Sequence, residues 1–74
     1  MEISARNQLP GNITAITVDG VTAEVTINVG CGIEVTGVIT RGSVERLGLE
    51  VGSRAVAIIK ATDVLVGIQD GEKS

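Results

Sequence analysis

Three short stretches concentrate hydrogen-bond donors: Ser4-Ala5-Arg6-Asn7, Thr40-Arg41-Gly42-Ser43 and Lys60-Ala61-Thr62. Between them they offer guanidinium, ammonium, hydroxyl and backbone N–H groups. None contains a nucleophile beside a base, and none has the Cys, His or carboxylate spacing of a metal cage. A pocket built from donors suits a fully deprotonated anion, because a bound proton would need an acceptor. Amides opening the helix expected at Ser43 would add to such a pocket, since they point outward and carry partial positive charge.

Each residue also has a plainer role. Ser43 serves as a helix cap, Thr40 as an ordinary strand residue, and Arg6 as a solvated charge. Lys60 serves as a strand-end charge whose head stays in water. Cys31 sits between Gly30 and Gly32, and a single thiol without His makes a poor metal site. Gly-Cys-Gly is not a dinucleotide fingerprint, since it lacks the third glycine and no helix follows.

Composition removes several classes of function. The 74 residues contain no Phe, Tyr, Trp or His, and Ile, Val and Thr supply 27 of them. Such β-branched richness argues against disorder. The net charge of −3 and the lack of aromatic platforms argue against nucleic acid as a partner. No catalytic residues stand out, so the chain reads as a non-enzyme. No apolar run reaches the roughly 18 residues of a spanning helix, and no secretory leader opens the chain. The expected setting is the cytoplasm, off the membrane, with Cys31 reduced.

The elements that must hold these donors read as short strands separated by glycine. Val21 to Val29 alternates apolar and polar residues over nine positions, the cleanest period of two in the chain. Ile13 to Val18 precedes it, and Asp19-Gly20 between the two signals a hairpin. Gly30-Cys31-Gly32 makes the next turn into Ile33–Thr40. Ser43 is the expected N-cap of a short helix with apolar contacts at Val44, Leu47 and Leu49, ended by Gly48. Arg54–Ile59 and Asp63–Ile68 read as the last two strands. Ile3–Arg6 reads as a detached leading strand, set off by Asn7-Gln8-Leu9-Pro10-Gly11. That run is taken as a spacer which Pro10 stiffens.

The fold class expected is all-β: a small OB-like Greek-key barrel of five to six strands with one short helix. Residues 1–68 form the domain, and 69–74 a flexible tail. A domain this small buries only about 60% of its unfolded surface. Arg54–Ile59 is apolar on both faces, which needs cover on both sides. Both arguments point to a homo-oligomer, with strand exchange between subunits.

The opening Met-Glu-Ile-Ser-Ala-Arg-Asn-Gln-Leu-Pro-Gly-Asn-Ile resembles the start of the molybdate-binding Mop domain. That is the molbindin family, whose module is also called TOBE. Glu34-Val35-Thr36 through Ile39-Thr40, then Ser43 with Leu47-Gly48-Leu49, is similar to the family's second motif. Ala57-Ile58-Ile59-Lys60-Ala61-Thr62 is similar to its third. Together they cover residues 1 to about 68. The resemblance implies an OB-like barrel assembled as a hexamer, a trimer of dimers, binding molybdate or tungstate at subunit interfaces. It implies oxyanion contacts from Ser4, Ala5 and Arg6, from Thr40 and Ser43, and from Lys60, Ala61 and Thr62, contributed by different chains. Molybdenum would be held only as the oxyanion, with no cofactor and no direct metal ligand. Asp63, which follows the third motif, is expected to face solvent. The implied role is storage or buffering of the anion. The alternative is an OB-like structural or regulatory module that binds a protein partner and no oxyanion.

Overall fold

Alternation along the second of four strands organises the sheet. The protein is described by a computed structural model that covers residues 3–69. Its elements are β1 (Asn7–Asp19), β2 (Thr22–Gly30), β3 (Ile33–Thr40), α1 (Arg41–Leu47) and β4 (Arg54–Ile59), followed by a 3-10 turn at Ala61–Asp63. The strands form one antiparallel sheet in the order β3-β2-β1-β4. Ala23 and Val25 on β2 are buried while Glu24 between them is exposed, as a period of two requires. On β3, Val35 and Ile39 turn inward and Val38 outward.

The two hairpins follow the turn chemistry. Asp19 pairs with Thr22 across Gly20-Val21, and Gly20 adopts a φ of 63°. Gly30 pairs with Ile33 across Cys31-Gly32, with both central residues at positive φ (53° and 74°). That is the twist-matched geometry favoured in two-residue hairpin loops. Cys31 is therefore an exposed turn residue.

Four expectations need correction. The described residues form four strands rather than five or six. Ile3–Arg6 is not a strand, and Asn7–Gly11 is not a spacer: it is the first half of β1, paired with Ile59–Ala55 of β4. Proline survives there because this half of β1 pairs on one side only. The neighbour on the other side, β2, begins pairing at Asn12. Gly11 marks the change of partner. A Cβ at Gly11 would lie 2.1 Å from the Asn28 carbonyl oxygen, so only glycine lets β1 pass from β4 to β2 there. Asp63–Ile68 is not a strand either, since no neighbour in the chain pairs with it.

The core is thin. Among the described residues, the buried apolar side chains are Ile13, Ala23, Val25 and Ala57. The sheet curls around an apolar groove of about 670 Å³ between its two edge strands. Leu49 lines it half-buried and Leu47 lines it while staying exposed, and Val44 on the helix is half-buried. On β4, exposed Val56 and Ile58 alternate with half-buried Ala55 and buried Ala57. Of the expected tail, only Gln69 falls within the described residues. No described helix is long and apolar enough to cross a membrane.

Candidate functional site

Two of the three donor stretches meet at one end of the β1–β4 pair. The register Asn7↔Ile59 is its terminal pair, so Arg6 and Lys60 stand just beyond it on adjacent chain ends. Asn7 locks the junction by donating from Nδ2 to the Ile59 carbonyl at 3.2 Å. Gln8 holds the preceding segment by donating from Nε2 to the Ala5 carbonyl at 2.9 Å. Beyond Lys60 the 3-10 turn closes through Asp63 N–H to the Lys60 carbonyl at 2.9 Å and Val64 N–H to the Ala61 carbonyl. Those closing bonds use the amides of Asp63 and Val64, not those of Ala61 and Thr62.

This end is rich in donors and short of counter-charge. Ser4, Arg6, Lys60, Ala61 and Thr62 are exposed and Ala5 is half-buried. The only ion pair among the described residues is Arg41 Nε to Glu45 Oε2 at 3.4 Å, on the helix surface. Neither Arg6 nor Lys60 has a carboxylate partner among those residues. Asp63 is exposed, as expected. Among the described residues, no group of three His, Cys, Asp or Glu side chains could hold a metal ion.

The third stretch lies elsewhere. Thr40 pairs with Thr22 at the far end of the sheet, beside the β1–β2 hairpin. Arg41 N–H donates to the Val21 carbonyl at 2.8 Å and fixes the helix there. Between this end and Asn7 runs most of the 13-residue β1. At ~3.3 Å per residue that strand spans on the order of 40 Å along its length. Within one chain, Thr40 and Ser43 therefore do not join Arg6 and Lys60.

The helix start also corrects the expected cap. Thr40, not Ser43, is the N-cap: its Oγ1 accepts from the Ser43 amide at 3.0 Å. Thr40 Oγ1 also donates to Ser43 Oγ at 2.7 Å. That leaves the half-buried Ser43 hydroxyl with its own proton to give. The amides of Arg41 and Ser43 are spent on Val21 and Thr40, so the helix start offers fewer free donors than its sequence suggests. Gly48 ends the helix in the left-handed region (φ 65°, ψ 36°), as expected.

Sequence reasoning named Asn7 only as part of its motif and gave it no role. Its clamp on Ile59 depends on the β1–β4 register, and that register was hidden because residues 7–11 were read as a spacer.

Comparison with known proteins agrees with this architecture. The TOBE domain model matches residues 3–66. Molybdenum-pterin-binding protein 3 of Clostridium pasteurianum is 46% identical over 66 residues, 89% of this chain and 97% of the relative. A probable molybdenum-pterin-binding protein of Haemophilus influenzae is 46% identical over 93% of this chain and its own full length. Among solved structures, MopII of Clostridium pasteurianum superposes with a TM-score of 0.85 at 40% identity, covering 90% of this chain and 100% of MopII. The cytoplasmic molybdate-binding protein ModG, crystallised with molybdate bound, gives 0.88 at 40% identity over 93% of this chain and 49% of ModG. Matched along nearly its whole length and curled into the same OB-like sheet, the chain belongs to the TOBE domain family, among the small molybdenum-pterin-binding (Mop) proteins.

Proposed function

We propose that the protein binds molybdate or tungstate reversibly at interfaces between copies of itself and so stores or buffers the anion inside the cell. The observation that carries this reading is the β1–β4 end. There, Arg6 and Lys60 stand at neighbouring strand ends without a carboxylate partner among the described residues, beside hydroxyls and amides that can donate to an anion. Relatives that match end to end are named for molybdenum, and ModG was solved with molybdate bound.

In this reading Arg6 and Lys60 offset the dianion's charge. Ser4, Thr62 and the amides of Ala5, Ala61 and Thr62 direct hydrogen bonds at its oxygens. Charge-assisted bonds of this kind are stronger than neutral ones, and partial burial between subunits raises their worth. Nothing is transferred to or from the anion, and no cofactor takes part.

A site shared between copies is supported by the separation of the donor groups. Thr40 and Ser43 complete a cradle only if a second chain brings its hairpin end to the first chain's β1–β4 end. The thin core and the exposed face of β4 favour the same conclusion, because a lone chain leaves much apolar surface in water. Assembly as a hexamer, a trimer of dimers, satisfies both requirements. Titration calorimetry with molybdate, paired with native mass spectrometry, tests the reading. A binding isotherm on an oligomer is expected, and an oligomer that takes up neither molybdate nor tungstate would favour the protein-binding module instead.

A further inference from the structure

Ser4, Ala5 and Arg6 lie ahead of β1, so no strand ladder orients their peptide groups. Backbone groups in such a segment take their direction from whatever bonds reach them from outside it. Among the described residues, one side-chain hydrogen bond does so: Gln8 Nε2 donates to the Ala5 carbonyl at 2.9 Å. Gln8 can act as an anchor because its own backbone is held in β1, in register with Ile58 of β4.

The Ala5 carbonyl and the Arg6 N–H belong to one peptide group. That group is planar and trans, so the two point in opposite directions. Gln8, by holding the carbonyl, turns the Arg6 N–H away from itself. Among the described residues that N–H has no hydrogen-bond partner. Lys60 stands at the neighbouring strand end, followed by the Ala61 and Thr62 amides that the 3-10 turn does not use. Arg6 therefore carries two donors of different kinds. Its guanidinium rides on a long, exposed side chain that must be ordered when a ligand binds. Its amide is aimed beforehand, and a donor aimed beforehand costs less to engage. Consecutive strand residues face opposite sides of a sheet. Asn7 thus ties β1 to β4 from one face, while Gln8 ties the leading segment to β1 from the other.

We propose, on the oxyanion reading above, that Gln8 is a positioning residue for the anion site: it touches no ligand, and aims the Arg6 N–H at the bound oxyanion. The Gln8 bond is exposed and spans three residues, so it adds little to the stability of the chain. Its effect falls on the direction of one donor.

The test compares wild type with Gln8→Met, which keeps the length of the side chain and removes its donor. Calorimetric titration with molybdate should show affinity lowered about three- to tenfold, the scale of one net hydrogen bond. Melting temperature without ligand and native mass should stay at their wild-type values. Unchanged affinity would overturn the proposal, and so would a loss of fold or assembly, which would assign Gln8 to the structure instead. A second measurement uses the wild-type protein labelled with ¹⁵N-arginine. The chain has four arginines, and the Arg6 amide signal is the one missing from Arg6→Ala. Saturating molybdate should move that signal downfield, and move it less in Gln8→Met. An Arg6 amide signal unmoved in molybdate-saturated wild type would overturn the proposal. Wild type that takes up no molybdate at all would overturn the oxyanion reading beneath it.

Discussion

The side-chain amide of Asn7 donates to the Ile59 carbonyl at 3.2 Å, one residue inside Arg6 on one strand and Lys60 on the other. It fixes the spacing of the two cationic residues before any anion arrives. Removing it should loosen the site without emptying it of charge. Asn7→Ala is expected to weaken molybdate binding about five- to tenfold, the scale of one net hydrogen bond. Titration calorimetry checks this, and an unchanged affinity would show that the clamp does not position the cations.

Arg6→Ala should cost more. A hydrogen bond to a charged group contributes roughly 1.5–3 kcal/mol, so affinity is expected to fall tenfold to a hundredfold. Arg6 is exposed and makes no ion pair among the described residues, so thermal stability without ligand should barely move. A large loss of melting temperature with binding intact would assign Arg6 to the fold.

Thr40 and Ser43 should separate by their effects. Thr40→Ala removes the helix cap and is expected to cost about 1 kcal/mol of stability. Ser43→Ala keeps the cap, because the Ser43 amide still donates to Thr40, and should cost markedly less. Chemical denaturation of the two variants decides between them. Equal losses would return the cap to both residues.

Gly11→Ala tests the strand crossing. A methyl group 2.1 Å from the Asn28 oxygen cannot be accommodated without moving one strand. The expected loss is about 3 kcal/mol, at the upper end of overpacking effects. A melting temperature within a degree of wild type would show that β1 does not pass so close to β2.

Sequence alone made much of this architecture legible, and the failures have physical causes. The alternation from Val21 to Val29 and the glycine turns placed β2, β3 and β4 nearly to the residue, because a period of two leaves little freedom. Asn7–Gly11 was misread because Pro and Gly signal a break, whereas here each is accommodated by what stands beside it: open space beside Pro10 and a carbonyl against Gly11. Asp63–Ile68 was read as a strand from composition, which cannot say whether a neighbour exists. The donor residues were legible as types. Their division into two distant groups was not, because it follows from which strand ends meet.

Ligand should stabilise the assembly. Binding to the folded oligomer contributes about 2.7 kcal/mol when free anion is a hundred times its dissociation constant. A rise of several degrees in melting temperature with molybdate is expected, absent with chloride at equal ionic strength. Indifference to molybdate would argue against a site in the folded state.

The central claim is that Arg6 and Ser43 reach one anion from different chains. The direct measurement mixes the Arg6→Ala and Ser43→Ala proteins, co-refolds them, and titrates the mixture with molybdate. Each variant should bind weakly by itself. Mixed oligomers should regain a class of sites with wild-type affinity, where an intact Arg6 from one chain meets an intact Ser43 from another. A mixture that binds no better than its two components would place both residues in a single chain's site or outside the site altogether, and would contradict the account.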